Sequence, residues 1–241
     1  MMLFQPEPTH PRPAFFIMGA ILISALSLMI GQGFALAKSN DQQQLVENAK
    51  HTLDSFMEDP HLSWFQDHVR DAKALLIVPQ LLKGAFIFGA EGGSGVLIVR
   101  EKDSNNWSEP AFYIVGGVSF GFQWGGQASE VIFMARTDGA VEKLYSSSFK
   151  LGGDASIAAG PYGAGVEGAT SANLNADFLS FSRAKGAFAG ISFDGAVIYV
   201  SDASNKAYYG KEVRPLDIFV KKSVHNPHAD GLRQSAEKAV Q

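Results

Sequence analysis

Cysteine is absent from the 241 residues. No disulfide framework, thiolate metal site or lipid-modified cysteine is available, so packing alone must hold the domain together. Concentrated positive charge is missing too. Net charge is −4 at pH 7, and the densest basic run is Lys221-Lys222. Nucleic acid needs a basic face and is not an expected partner. A strongly electrostatic grip on anionic lipid is not signalled either. The phosphate-binding pattern G-x4-G-K-[ST] does not occur, because Gly210-Lys211 is followed by Glu212.

What is there begins with an apolar run, Ala14 to Ile30, preceded by the single cation Arg12. It falls short of the roughly 20 residues of a spanning helix. Ala35-Leu36-Ala37 behind it fits the small-x-small site of signal peptidase. Residues 1–37 are expected to be a cleaved signal peptide, the alternative being an uncleaved anchor. Either way the chain is exported, to the periplasm or the envelope. The remainder, about 200 residues, fits one domain over 38–222 with a polar, frayed tail at 223–241.

Two textures follow. Leu45, Ala49, Leu53 and Phe56 recur at helical spacing, with Pro60 as a stop. Leu62, Phe65, Val69 and Ala72 then line one side of a second short helix. "ALLIVP" reads as a buried strand that stops at Pro79. From Gly84 to Val200 the period changes to two, punctuated by glycine. In "PAFYIVGGVSFGFQWGG" the even positions are mostly bulky, and the odd positions from Gly117 onward are small. Glycines inside strands signal coiling, bulges or close backbone approach. The expected fold is α+β and β-dominated: a strongly curved antiparallel sheet or barrel with N-terminal helices and short C-terminal helices. "DGAVEKLYSS", "DASNKAYYG" and "PLDIFVKK" are the other short helices expected.

Several motifs invite chemistry. Gly117-Val-Ser119-Phe-Gly121 spells the nucleophile elbow G-x-S-x-G, and Asp177, Asp194 or Asp217 followed by His225 would complete a hydrolase order. An elbow needs a sharp turn from strand into helix. Here the alternation runs through Ser119 and no helix begins, so Ser119 is read as merely small. Gly163-Ala-Gly165-Val-Glu-Gly168 matches G-x-G-x-x-G, but no helical stripe follows it. His61 with His68, and His225 with His228, lack a third ligand by spacing. Neither an enzyme, nor a metal, nor a cofactor is expected.

The ordered blocks "AKALLIVPQLLKGAFIFGAEGGSGVLIVRE", Trp107-Ser-Glu-Pro110, "FYIVGGVSFGFQWGGQASEVIFM", "LGGDASIAAGP", "FSRAKGAFAGISFDGAVI" and Tyr208-Tyr209-Gly210 resemble the SYLF-domain family. That family is also described as the Ysc84-type actin-binding domain. The likeness runs from about Leu45 to Lys222. It implies a non-enzymatic domain that binds membrane phospholipid, phosphoinositides in eukaryotic members, through a basic amphipathic helix at its start. This chain departs there: "KSNDQQQLVENAKHTLDSF" is amide-rich and barely basic. General phospholipid in a bacterial envelope is therefore the expected partner, rather than actin. Oligomeric state is left open by the sequence. The candidate lipid contacts are Trp64, Phe65, Arg70, Lys73 and Lys83, apolar groups entering the interface while cations meet phosphates. A second contact mode would seat an acyl chain against the small-residue strand faces.

Overall fold

A computed structural model describes residues 39–85, 88–102, 104–120, 125–160, 175–184 and 193–241. The N-terminal 38 residues and the G-x-G-x-x-G stretch lie outside the described residues.

Helix α1 runs over 39–58, with Val46, Ala49, Leu53 and Phe56 buried along one side. It ends just before Pro60, whose missing N–H suits the first position of the 3-10 turn Pro60–Leu62. Asp59 caps that turn by accepting from the His61 N–H. Helix α2 (Ser63–His68) and a 3-10 turn (Val69–Asp71) follow. Leu62, Phe65, Val69 and Ala72 are all buried, as their spacing requires.

Among the described residues eight strands come next: β1 (Ala74–Ala85), β2 (Phe88–Val99), β3 (Ala111–Phe120), β4 (Gly125–Ala135), β5 (Ser148–Lys150), β6 (Ile157–Ala159), β7 (Phe178–Ala184) and β8 (Val197–Val200). They form one sheet in the order β5-β8-β3-β2-β1-β4-β7-β6. Every pair is antiparallel except β6 with β7, so the sheet is mixed. It curls into a half-barrel and does not close. Its edge strands are only three residues each, and a lone bridge between Leu151 and Ala155 joins the chain just beyond β5 to the chain just before β6. Helix α3 (Asp138–Leu144) sits between β4 and β5. Helices α4 (Asp202–Tyr209), α5 (Pro215–Phe219) and α6 (Asp230–Ala239) close the chain.

Both sheet faces are buried. Leu75, Ile77, Ile98, Phe112 and Met134 point toward α1, α2 and α6. Their strand neighbours, among them Leu76, Val78, Tyr113, Val115 and Phe133, point into the curl with Leu144, Ile218 and Phe219. Each such side chain contributes about 1.5–3 kcal/mol on burial, which lets a cysteine-free chain stand on packing alone. In the first half of β3 both faces carry core residues, Phe112 on one and Tyr113 and Val115 on the other; the side chains of the small-residue stretch beyond Gly117 lie outside the described residues.

Pro79 does not stop β1. The strand continues to Ala85 between two neighbours, and both pairings shift register around Pro79-Gln80. A bulge there takes up the residue that cannot donate to the ladder. Across from it a Cβ on Gly93 would stand 2.5 Å from the Gln80 carbonyl oxygen and 2.9 Å from Val78 Cγ1. Only glycine lets β2 pass the bulge.

The C-terminus is a further correction. Where a frayed tail was expected, the 3-10 turn Pro227–Ala229 and α6 bury Ala229, Leu232 and Ala236. Glu109 holds this segment. Its carboxylate meets His225 Nδ1 at 2.8 Å, accepts from the Asn226 N–H at 3.1 Å and pairs with Arg233 at 3.4 Å. Arg233 Nε also donates to the Trp107 carbonyl, and the Tyr209 hydroxyl donates to that of Pro110. The Trp-Ser-Glu-Pro and Tyr-Tyr-Gly blocks are thus two halves of one clasp.

Candidate functional site

The start of β1, the end of β2, α3 and α5 enclose a cleft of about 740 Å³. Lys73 stands at its entrance because the chain turns from helix to strand there. Its N–H donates to the Ala135 carbonyl and its own carbonyl accepts from Arg100, each at 2.8 Å. The floor is apolar, from Val99, Val141, Tyr145 and Phe219. Burial, and then Glu142, push the Tyr145 hydroxyl above its ordinary pKa, so it stays a neutral donor.

The rim carries both signs of charge. Lys73 Nζ meets Asp138 Oδ1 at 2.6 Å, and Lys222 Nζ meets Glu101 Oε1 at 2.6 Å. The Lys73 hydrogen bond, and then its charge, hold Asp138 below the usual carboxylate range, with Lys102 adding to the effect. Arg100 is committed to the scaffold. Nε donates to the Ser104 carbonyl at 2.9 Å, Nη2 to Asn105 Oδ1 at 2.6 Å, and Nη1 to the Arg70 carbonyl. Both lysines and Asp138 are exposed to solvent and Glu101 is partly so, which leaves these ion pairs weak. A ligand can open them.

A second, polar cleft of about 700 Å³ lies beside α1, between Asn48, His51, Gln80 and Arg183. Arg183 is saturated. It bonds Glu130 through Nε at 3.0 Å and Nη2 at 2.5 Å, with Asp59 at 3.3 Å and Ser55 Oγ at 2.6 Å. Burial works against its charge, but Glu130 and Asp59 outweigh that and raise its pKa. This network ties α1 to β4 and β7.

The five residues singled out from sequence do not form one surface. Lys73 lines the first cleft, and exposed Arg70 touches its wall through its carbonyl. Phe65 is wholly buried, 6.0 Å from the Phe56 ring and 5.0 Å from that of Phe181, so it is not offered to a bilayer. Trp64 is half-buried, stacked on His68 at 4.0 Å and on Phe181 at 5.8 Å. The Lys83 side chain lies outside the described residues; its backbone pairs with Glu91 and Gln127. Lys222 and Lys102 were missed, because α5 and the β2–β3 connection reach the cleft only through the fold. Charge in the wrong neighbourhood of sequence gives no signal of that.

Ser119 lies in the β2–β3 ladder opposite Gly89, and β3 runs on to Phe120. No strand-to-helix corner stands at Ser119, and His225 is engaged with Glu109. Among the described residues no three His, Cys, Asp or Glu side chains are grouped to hold a metal ion.

The sequence profile of the Ysc84 family, described as Las17-binding protein actin regulator, matches residues 116–239. The chain is 32% identical over 151 residues to the cattle SH3 domain-containing YSC84-like protein 1, covering 62% of this chain and 44% of that protein. It is 35% identical over 147 residues to the baker's yeast LAS seventeen-binding protein 3, covering 60% and 32%. With the yeast protein YSC84 the identity is 31% over 172 residues, covering 70% and 36%. The chain therefore spans less than half the length of these relatives. The half-barrel described above is what this chain contributes to a shared domain: the protein belongs to the Ysc84 family, the SYLF family its sequence blocks resemble.

Proposed function

We propose that the protein is an exported, non-enzymatic phospholipid-binding protein of the cell envelope, with the lysine-rimmed cleft as the headgroup contact. The observation that carries this reading is the pairing of an apolar floor, Val99, Val141 and Phe219, with lysines at the mouth. That combination suits a molecule with one apolar and one charged part. Lys73, Lys102 and Lys222 meet the phosphate, and the floor receives the glycerol and the first methylenes. Arg70 extends the cationic edge, and Trp64 stands farther off as an interfacial aromatic.

Export rests on the apolar run Ala14–Ile30 and on Ala35-Leu36-Ala37. Among the described residues no helix is long and apolar enough to cross a membrane. A yeast relative is described as binding LAS seventeen. The amide-rich start of α1 lacks the basic helix such eukaryotic domains are expected to use, and actin is left out of the proposal. The non-enzymatic reading is supported by Ser119 standing within the β2–β3 ladder, with strand pairing on both sides of it.

Co-sedimentation of the purified protein with liposomes, with and without anionic lipid, tests the proposal. Retention on at least one composition is expected. A protein that stays in the supernatant with every composition is a scaffold instead, and lipid mass spectrometry of natively purified material would then find no carried lipid.

A further inference from the structure

The cleft at the start of β1 carries carboxylates among its lysines. Asp71, Glu101 and Asp138 line it together with Lys73, Lys102 and Lys222. Arg100 has its donors turned to Ser104, Asn105 and the Arg70 carbonyl, so it adds positive potential without offering a free fork. Three lysines stand against three carboxylates, and Arg100 leaves the lining one positive charge in excess. A purely anionic ligand that drew Lys73 away from Asp138 would strand that carboxylate beside itself. A neutral ligand would leave both ion pairs intact and gain only the floor.

We propose that this cleft takes a zwitterionic phosphoester of the phosphoethanolamine or phosphocholine class, its phosphate on Lys73 and Lys102 and its ammonium on Asp138. The two pairs at the mouth, Lys73 with Asp138 and Lys222 with Glu101, are each 2.6 Å long. Asp138 is 86% exposed and Lys73 43% exposed. Inserting a zwitterion between the partners of such a pair replaces one ion pair with two and strands no charge. Tyr145 also lines the cleft, and its phenol, neutral at physiological pH and pushed further up by burial, is a donor there. The neutrality of the ligand as a whole also sets the salt dependence. Net charge transfer on binding is near zero, so affinity should change little with ionic strength, unlike an anionic-lipid site.

The inference rests on the lipid-binding reading, and the experiment separates the two. The purified protein is titrated with vesicles of phosphatidylcholine, of phosphatidylcholine with phosphatidylethanolamine, and of phosphatidylcholine with phosphatidylglycerol. Free phosphoethanolamine is titrated alongside by calorimetry. Binding to the first two at low and high salt is expected. Lys73→Gln and Asp138→Asn should each weaken it by up to about five-fold, the effect of one ion pair at an exposed site. Exchanging the two charges, Lys73→Asp with Asp138→Lys, should restore part of the loss. Both side chains are exposed, so melting temperatures should stay at wild type and misfolding is excluded as the cause.

Binding only to phosphatidylglycerol vesicles, tightened by Asp138→Asn, overturns the zwitterion assignment and leaves lipid binding standing. Binding to zwitterionic vesicles that none of the variants alters also overturns it, by placing the contact elsewhere. If no vesicle binds while free phosphoethanolamine does, the lipid reading fails and the site serves a soluble zwitterion. If neither binds, both fall.

Discussion

Gly92 and Gly93 are neighbours in β2, and one methyl group added to each should have opposite effects. Gly93 faces the bulge of β1. A Cβ there lies 2.5 Å from the Gln80 carbonyl oxygen, 2.9 Å from Val78 Cγ1 and 3.1 Å from Leu81 Cα. Two of these are backbone atoms of a central strand paired on both sides, so the neighbour cannot swing away. Overpacking of this kind costs about 1–3 kcal/mol. Gly92 points to the other face, where the nearest atom is the Val115 carbonyl oxygen at 3.7 Å, ordinary contact. Alanine there removes unfolded-chain freedom and stabilises by about 0.4–1 kcal/mol. Gly93→Ala receives the same benefit but must overcome the clash. The two variants should therefore differ by about 2 kcal/mol, or about 4–8 °C in melting temperature for a domain of this size. Urea and thermal unfolding followed by far-ultraviolet circular dichroism measure it. A Gly93→Ala protein as stable as Gly92→Ala would refute the claim that close approach to the bulge, rather than backbone freedom, keeps glycine at this position.

Phe65→Ala should lose about 3–5 kcal/mol, as for a buried aromatic, with vesicle binding scaled only by the folded fraction; an intact fold with lost binding would return Phe65 to the membrane surface. Glu109→Gln should loosen the C-terminal clasp by about 1–3 kcal/mol, read as faster amide exchange in α6 than in β1. Asp177 is held below its usual pKa, first by the Thr137 hydroxyl and then by Ser156. Its stabilisation is therefore complete above the unfolded value near 3.8 and fades as pH falls through the lower folded value. Asp177→Asn should be less stable than wild type at pH 7, and the gap should shrink as pH falls below 3.8, by urea midpoints. Ser119→Ala should leave turnover of a chromogenic ester unchanged; a loss of turnover would reopen the hydrolase reading.

Elements whose side chains repeat with a fixed period were legible. The α1 stripe Leu45, Ala49, Leu53 and Phe56 and the α2 set Leu62, Phe65, Val69 and Ala72 follow from burial on one helix side. Helices α3, α4 and α5 also stand where short polar-apolar patterns put them. Pro79 misled because a proline penalty is local, whereas the bulge that absorbs it is set by two flanking strands. The tail misled for a related reason. Residues 223–241 are polar on average, yet Leu232, Ala236 and Val240 need only one buried stripe, and Glu109 supplies an anchor more than a hundred residues upstream.

The same distinction governs the site. Aromatics next to cations in sequence, Trp64-Phe65 with Arg70 and Lys73, looked like a membrane contact, but adjacency in a helix sends successive residues to different faces. Phe65 went to the core and Lys73 to the cleft. Lys222 came from the opposite end of the chain, seated by α5 against Glu101. The sequence carries no clustered positive charge, which by itself signals no electrostatic grip on lipid. Low net charge does not exclude the proposed site, because lysines interleaved with carboxylates form no basic run, yet they are the paired groups a zwitterion needs. A weakly acidic chain with no basic run is what a domain selecting such a headgroup should look like, and a preference for anionic vesicles in the titration above would break that link.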